Sequence, residues 1–313
     1  MRRVPASLAA VVFALGLAAC GDGAEPGASR EATLILDFTP NAVHAGLYAA
    51  LEEGLFAERG IDLELREPSA STDAPKLLQA GRAEFAVMDI HDVGLARERG
   101  FELGIVAPIV QRPLAAVIAN QRIRRPRALA GGSVGVTGLP SDDAVLDAVL
   151  EADGVDPGAV ERVTIGFDSV PALASGRVDA VTAFWNAEGV ALRRRGVATR
   201  EFRVDDFGAP RYPELVVVQG ANAPAEPELV AEAVTEGYER TLAEPEVALE
   251  ALLDANPALD RAEQRAQLDA LLDAGAFSPP GRLDLDELRA WGRWNVEHGI
   301  LAERVDVAEL ARP

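Results

Sequence analysis

Leu34-Ile-Leu-Asp-Phe-Thr-Pro-Asn-Ala-Val-His-Ala-Gly-Leu-Tyr48 is the stretch on which the reading of this chain turns. Thr33 to Leu36 is β-branched and aliphatic, of strand character, and Thr39-Pro40-Asn41 is a turn that ends it. From Ala42 the apolar residues Leu47, Ala50, Leu51 and Leu55 recur at helical spacing, with Gly54 weakening the end and Gly60 stopping it. Asp37, Phe38, Asn41 and His44 therefore crowd the point where a strand's carboxyl end becomes a helix's amino end. In an open α/β sheet ligands bind there, because unpaired backbone N–H groups and polar side chains converge.

Upstream of this unit the sequence reads as an export signal. Arg2 and Arg3 precede an apolar core, Leu8 to Ala19, too short to span a bilayer. Leu17-Ala18-Ala19-Cys20 resembles a bacterial lipobox, in which cleavage precedes a cysteine that is then acylated. Residues 1–19 are expected to be a lipoprotein signal peptide and 20–31 a flexible tether rich in Gly, Ala, Pro and acids. An ordinary secretory signal with an incidental cysteine is the alternative, and either one exports the protein. Cys20 is the single cysteine, so no internal disulfide forms and Cys-based metal sites are excluded.

Composition narrows the class. The 313 residues carry 50 Asp and Glu against 30 Lys and Arg, a formal charge of −20, which argues against a nucleic-acid partner. No second apolar run approaches membrane-spanning length, so a lipid anchor is the expected membrane contact.

Strands and helices then alternate. Strands are predicted at 61–65, 84–88 and 103–110, with helices at 74–80 and 92–99 between them. Leu114 to Ala119 follows as another strand with only Gln111-Arg112-Pro113 intervening, which suggests an antiparallel member or passage into a second lobe. The series restarts with strands at 133–136, 163–167 and 180–184 and helices at 142–152, 170–175 and 188–195. Phe202–Val204 and Leu215–Val218 again lack a helix between them, and from Pro227 the chain reads as helical, with a long last helix around 285–301. The segments Leu77-Leu-Gln-Ala-Gly-Arg-Ala-Glu-Phe-Ala-Val87 and Ala172-Leu-Ala-Ser-Gly-Arg-Val-Asp-Ala-Val-Thr182 echo one another, as two matching lobes would. The expected architecture is α/β with two lobes and a cleft between them. Lobe 1 comprises 32–112 and a mostly helical 214–313, and lobe 2 comprises 113–213. Asp37, Asp89, Ser141 and Trp185 would then rim the cleft.

Together with Gly54-Leu-Phe-Ala-Glu-Arg-Gly-Ile-Asp62, Phe167-Asp-Ser-Val-Pro-Ala-Leu-Ala-Ser-Gly-Arg-Val-Asp179 and Ala183-Phe-Trp-Asn-Ala-Glu-Gly-Val-Ala-Leu192, the opening stretch resembles the substrate-binding proteins of ABC importers with the type II periplasmic-binding-protein fold. More narrowly, it resembles the ThiY-like group that binds pyrimidine precursors of thiamine. The similarity runs from about Thr33 to beyond Leu215. Phe38 departs from it, standing where that group usually has Trp.

A flat heteroaromatic with an exocyclic amine needs an aromatic face and a carboxylate that bonds ring nitrogen and amine together. Trp185 and Phe38 are candidate faces, and Glu188 and Asp37 candidate carboxylates. Asn41, His44 and Asn186 are neutral donors and acceptors, Ser141 stands at a helix amino end, and Tyr212 is placed to close over a ligand. Each also has a structural reading. Asp37 is a turn residue, Asn41 and Ser141 are helix caps, His44 is a satisfied buried histidine, Trp185 is core at a strand end, and Glu188 favours a helix dipole. Trp291 and Trp294 are expected to pack onto the first lobe. His91 and His298 have no evident partners, and neither a metal site nor a cofactor is expected.

The resemblance implies an extracytoplasmic lipoprotein that captures a hydroxymethyl- or formylamino-pyrimidine by lobe closure. It would act as a monomer with an ABC permease and ATPase and would not be an enzyme. Riboflavin is the alternative ligand. Pyrimidine synthases of the yeast type resemble this fold, but they look to use a cysteine-rich motif and an iron-linked histidine, whereas the one cysteine here, Cys20, is expected to carry the lipid. A sensor domain acting through a separate membrane kinase is the third possibility.

Overall fold

The computed structural model describes residues 29–70, 73–220, 223 and 226–311. The signal peptide, Cys20 and most of the expected tether lie outside them. The strands in chain order are β1 Arg30–Ile35, β2 Ile61–Arg66, β3 Phe85–Asp89, β4 Leu103–Val110, β5 Ala115–Asn120, β6 Ser133–Val136, β7 Glu161–Thr164, β8 Ala180–Phe184, β9 Thr199–Arg203 and β10 Leu215–Gly220. They form two five-stranded sheets, ordered β2-β1-β3-β10-β4 and β7-β6-β8-β5-β9. In the first, β1 runs parallel to β2 and β3, while β10 lies antiparallel between β3 and β4. In the second, β6 is parallel to β7 and β8, and β5 is antiparallel to β8 and β9. Both meanings of a strand pair without a helix thus hold at once. The chain changes lobe after Val110, returns before Leu215, and the strand it enters on is antiparallel each time.

The opening stretch folds as its residues dictate, with one refinement. β1 starts at Arg30, inside the expected tether, because Arg30 pairs with Ile61 at the head of β2. After it, Ala42–His44 is a short 3-10 turn, α1 is Ala45–Glu52 and α2 is Leu55–Glu58, divided at Gly54 with φ of 75°. Further helices are α3 Asp73–Gln79, α4 Ile90–Glu98, α5 Pro140–Ala152, α6 Ser169–Ala174 and α7 Glu188–Arg194. β7 ends three residues before its predicted limit, which leaves Phe167 on the turn into α6 rather than in the sheet.

The tail forms α8 Pro227–Ala243, α9 Pro245–Ala255, α10 Arg261–Asp273, α11 Leu285–Glu297 and α12 Val307–Leu310. α8 packs tightly on α1: the Tyr238 ring lies where a side chain on Gly46 would project, and Tyr238 Oη donates to Val43 O at 2.7 Å. α11 sends Trp291 into the first lobe, where its Nε1–H meets His91 Nδ1 at 3.0 Å; the Asn295 amide oxygen lies 2.7 Å from the same nitrogen. His91 therefore has partners that its sequence neighbourhood did not reveal, and His298 Nδ1 lies 2.9 Å from Trp294 O.

Trp185, predicted as a ligand face, belongs instead to the hinge. It follows β8 directly, is 2% exposed, and donates its Nε1–H to Pro113 O at 3.1 Å. Its backbone N–H bonds Leu114 O, and the Arg203 guanidinium lies 4.2 Å from its ring centroid. The indole is held against the chain that crosses between lobes, with a cation covering its π face. Trp185→Ala is expected to lower stability by about 3–5 kcal/mol, as loss of a buried aromatic does, seen as a fall in the melting temperature of the unliganded protein. An unchanged melting temperature with lost ligand affinity would return the indole to the cleft.

Candidate ligand cleft

The carboxyl ends of β1, β3, β6 and β8 face one another across the lobe boundary and enclose a cavity of about 110 Å³. Lobe 1 contributes Asp37, Phe38, Asn41, Met88, Asp89 and Asp92 to its lining. Lobe 2 contributes Thr137, Ser141, Asp142, Phe167, Phe184 and Glu188. Among the described residues that line it, none is Arg or Lys.

The loop after β1 is internally tied. Asn41 Oδ1 accepts from Val43 N and its Nδ2 donates to Thr39 O, so Asn41 acts as a cap while still bordering the cavity. His44 is fully buried behind it. Its Nδ1 accepts from Asn41 N at 3.2 Å, which leaves Nε2 as the protonated nitrogen, donating to Asp37 Oδ1 at 2.8 Å. His44 thus orients the Asp37 carboxylate rather than lining the cavity. Asp89 caps α4 by accepting from His91 N at 2.7 Å.

Across the cleft, Glu188 opens α7 and accepts from Phe184 N at 3.0 Å. Burial pushes its carboxyl up to about 7; its own backbone N–H and that of Phe184 pull it down, and the charges of Asp142 and Asp37 add to the rise. Asp142, accepting from Thr137 N at 2.5 Å, is pushed up to about 6, again chiefly by burial. Ser141 does not cap its helix. Its Oγ donates to Asp92 Oδ2 at 2.9 Å, and burial followed by the charge of Asp89 holds the Asp92 carboxyl well above the usual range. Phe38 and Phe167 meet edge to face with centroids 4.5 Å apart.

The structure brings Asp37, Phe38, Asn41, Asp89, Ser141 and Glu188 together on the cavity. It does not bring His44, Trp185, Asn186 or Tyr212 there. Asn186 is fully buried one residue past the indole, in the hinge packing. Tyr212 is fully buried too, its ring edge-on to His91 at 4.9 Å, because it precedes β10 within the return crossing and so lies beneath the cleft floor rather than over its mouth. Phe167, Phe184, Asp92 and Asp142 were missed by sequence reasoning. For Phe167 a signal existed, since Phe167-Asp168 mirrors Asp37-Phe38 between a strand and a helix. Asp92 had none, because its partner lies 49 positions away.

Asp89 on the cavity wall, His91 and Glu214 bring one ligand-capable atom each within 4.8 Å of one another, a geometry the expectation of no metal site did not foresee. All three groups already carry other duties. Asp89 Oδ1 accepts from His91 N, Glu214 Oε2 accepts from Leu114 N and from Ala115 N, and His91 Nδ1 faces Trp291 and Asn295.

Known proteins with related sequence or structure agree with this architecture. The chain is 33% identical over 320 residues to a formylaminopyrimidine-binding protein of Halalkalibacterium halodurans, covering 97% of this chain and 96% of the relative. It is 25% identical to a 4-amino-5-hydroxymethyl-2-methylpyrimidine phosphate synthase of Legionella pneumophila, over 72% of this chain and 74% of that one. Among solved structures, the alkanesulfonate-binding protein SsuA of Xanthomonas axonopodis pv. citri superposes with a TM-score of 0.72 at 16% identity, covering 90% of this chain and 97% of that one, which shows a shared periplasmic-binding-protein fold. The model of the NMT1/THI5 like family matches residues 41–248, and with a relative one-third identical along nearly the whole length, the chain belongs to that family.

Proposed function

We propose that this chain is the extracytoplasmic substrate-binding component of an ABC importer and that its cargo is an aminopyrimidine precursor of thiamine. The observation that carries this reading is the lining of the cleft: several carboxyl groups, two of them held near neutrality, with no Arg or Lys among the described lining residues. A 4-aminopyrimidine edge presents a ring-nitrogen acceptor beside an amine donor. A protonated carboxyl answers both, giving its O–H to the ring nitrogen and taking an N–H on its carbonyl oxygen. Glu188 is assigned that role, Asp37 takes a second donor, and Phe38 and Phe167 supply aromatic faces. Asn41 and Asp89 complete the wall on the lobe 1 side.

The same lining disfavours the anions that other proteins of this fold are named for, since a sulfonate would meet carboxylates without a compensating cation. A cavity of about 110 Å³ suits a single ring better than a three-ring flavin, whose pockets fall in the range of roughly 300–1,000 Å³ typical of drug-sized ligands. A synthase role draws less support, because the sequence holds one cysteine, at position 20. No helix of the described residues is long and apolar enough to cross a membrane. Attachment is assigned to acylated Cys20, so Cys20→Ser is expected to move the protein from the membrane to the soluble fraction; persistence at the membrane would refute the anchor.

A thermal-shift panel tests the cargo. At about 100-fold excess over Kd a ligand that binds only the native state adds roughly 2.7 kcal/mol. Formylaminopyrimidine or hydroxymethylpyrimidine is expected to raise the melting temperature, whereas taurine and nitrate are not; a shift with an anion alone would sink the proposal. Glu188 also makes a pH prediction. Its folded-state carboxyl titrates near 7, above its ordinary 4.5, so the native state holds an extra proton between those values and loses stability as pH rises through 7. Glu188→Gln is expected to gain stability relative to wild type between pH 5 and pH 8, and parallel stability profiles would show that the carboxyl is ionised throughout.

A further inference from the structure

Beyond the identity of the cargo, a side-chain hydrogen bond in the cleft joins the two lobes directly. Ser141 is the second residue of α5, in lobe 2, and Asp92 is the third residue of α4, in lobe 1. Both are buried, and the Ser141 Oγ–H donates to Asp92 Oδ2 at 2.9 Å. A serine at a helix start ordinarily spends its hydroxyl on its own first turn. Here the residue preceding the helix is Leu139, which makes no side-chain cap, and the Asp142 carboxylate takes the Thr137 N–H. The serine hydroxyl is thereby left to reach across.

Carboxyl groups line both faces of that cleft, Asp37, Asp89 and Asp92 on lobe 1 and Asp142 and Glu188 on lobe 2, and the burial that lifts Asp92, Asp142 and Glu188 above their ordinary range reduces the charge that would oppose closure. The edge-to-face Phe38 and Phe167 contact and the Ser141 hydrogen bond then hold the lobes together across it. We propose that Ser141 and Asp92 form an interlobe latch, a positioning pair that sets the fraction of unliganded protein in the closed arrangement. Since apparent affinity scales with the competent fraction, the latch tunes capture of whatever the cleft holds through that population.

The test needs no ligand, so it stands or falls separately from the proposed cargo. In the chain carrying Cys20→Ser, spin labels on Glu67→Cys, just past the end of β2, and Thr164→Cys, the last residue of β7, both exposed, report the interlobe distance by pulsed EPR. Ser141→Ala and Asp92→Ala are each expected to lower the closed-to-open ratio by about 2- to 10-fold, the worth of one such bond. The double variant is expected to do no more than either single. Asp92→Asn, whose amide oxygen still accepts from Ser141, is expected to keep the closed population, which separates the bond from the charge and from any folding defect. A wild-type distribution without a closed component, an unaltered distribution in Ser141→Ala, or additive effects in the double variant would overturn the latch. Weaker ligand binding by Ser141→Ala with an unchanged unliganded distribution would make the serine a ligand contact instead.

Discussion

One buried carboxylate ties together the two places where the chain crosses between lobes. Glu214 stands at the head of β10, on the return crossing, and its Oε2 accepts the backbone N–H groups of Leu114 and Ala115 on the outward crossing. Its carbonyl oxygen accepts from Ile90 N at the start of α4, so the same residue anchors the helix that carries Asp92. Burial is the main cause that lifts its carboxyl well above the usual value, and the charge of neighbouring Asp89 adds to it. A buried acid with fixed partners is costly to disturb, because removing it strands two backbone donors in a dry hinge. The clasp thus links the outward crossing, the return crossing and the start of α4, next to which Asp89 stands. Trp185 reinforces it from the other side by hydrogen-bonding Pro113.

The cleft chemistry sits on top of this hinge. Two half-sheets deliver the carboxyl ends of their strands to one gap, and each ends in a turn rich in acids and phenylalanine. Burial above all, with neighbouring carboxyl charges adding to it, raises the proton affinity of Glu188 and Asp142, which turns a set of acceptors into a mixed set of donors and acceptors. Fold similarity to the alkanesulfonate-binding protein shows the fold alone and says nothing about cargo.

Much of the candidate site was legible because it lies on local sequence. Asp37, Phe38 and Asn41 belong to a strand–turn–helix unit whose period change is plain, and Glu188 opens a helix just after a buried strand. Trp185 was misplaced for an instructive reason. A tryptophan at a strand end beside polar residues looks the same in sequence whether the chain that covers it is solvent-facing or, as here, the Pro113 crossing 72 positions away. His44 and Asn186 fail similarly, since a polar residue on a helix or turn gives no sign of which side faces the ligand. Asp92 and Tyr212 were readable only through partners distant in the chain.

The alternation of strands and helices, the two passages between lobes, the acidic balance and the family were readable from the chain, because these rest on periodicity, turn residues and composition that neighbouring positions carry. Tertiary structure alone decided which of the polar and aromatic residues at the strand ends face the cavity, which carboxyls are pushed toward neutrality, and that Ser141 bonds Asp92. Those properties depend on burial and on contacts between residues tens to hundreds of positions apart, and neither is encoded in any local window.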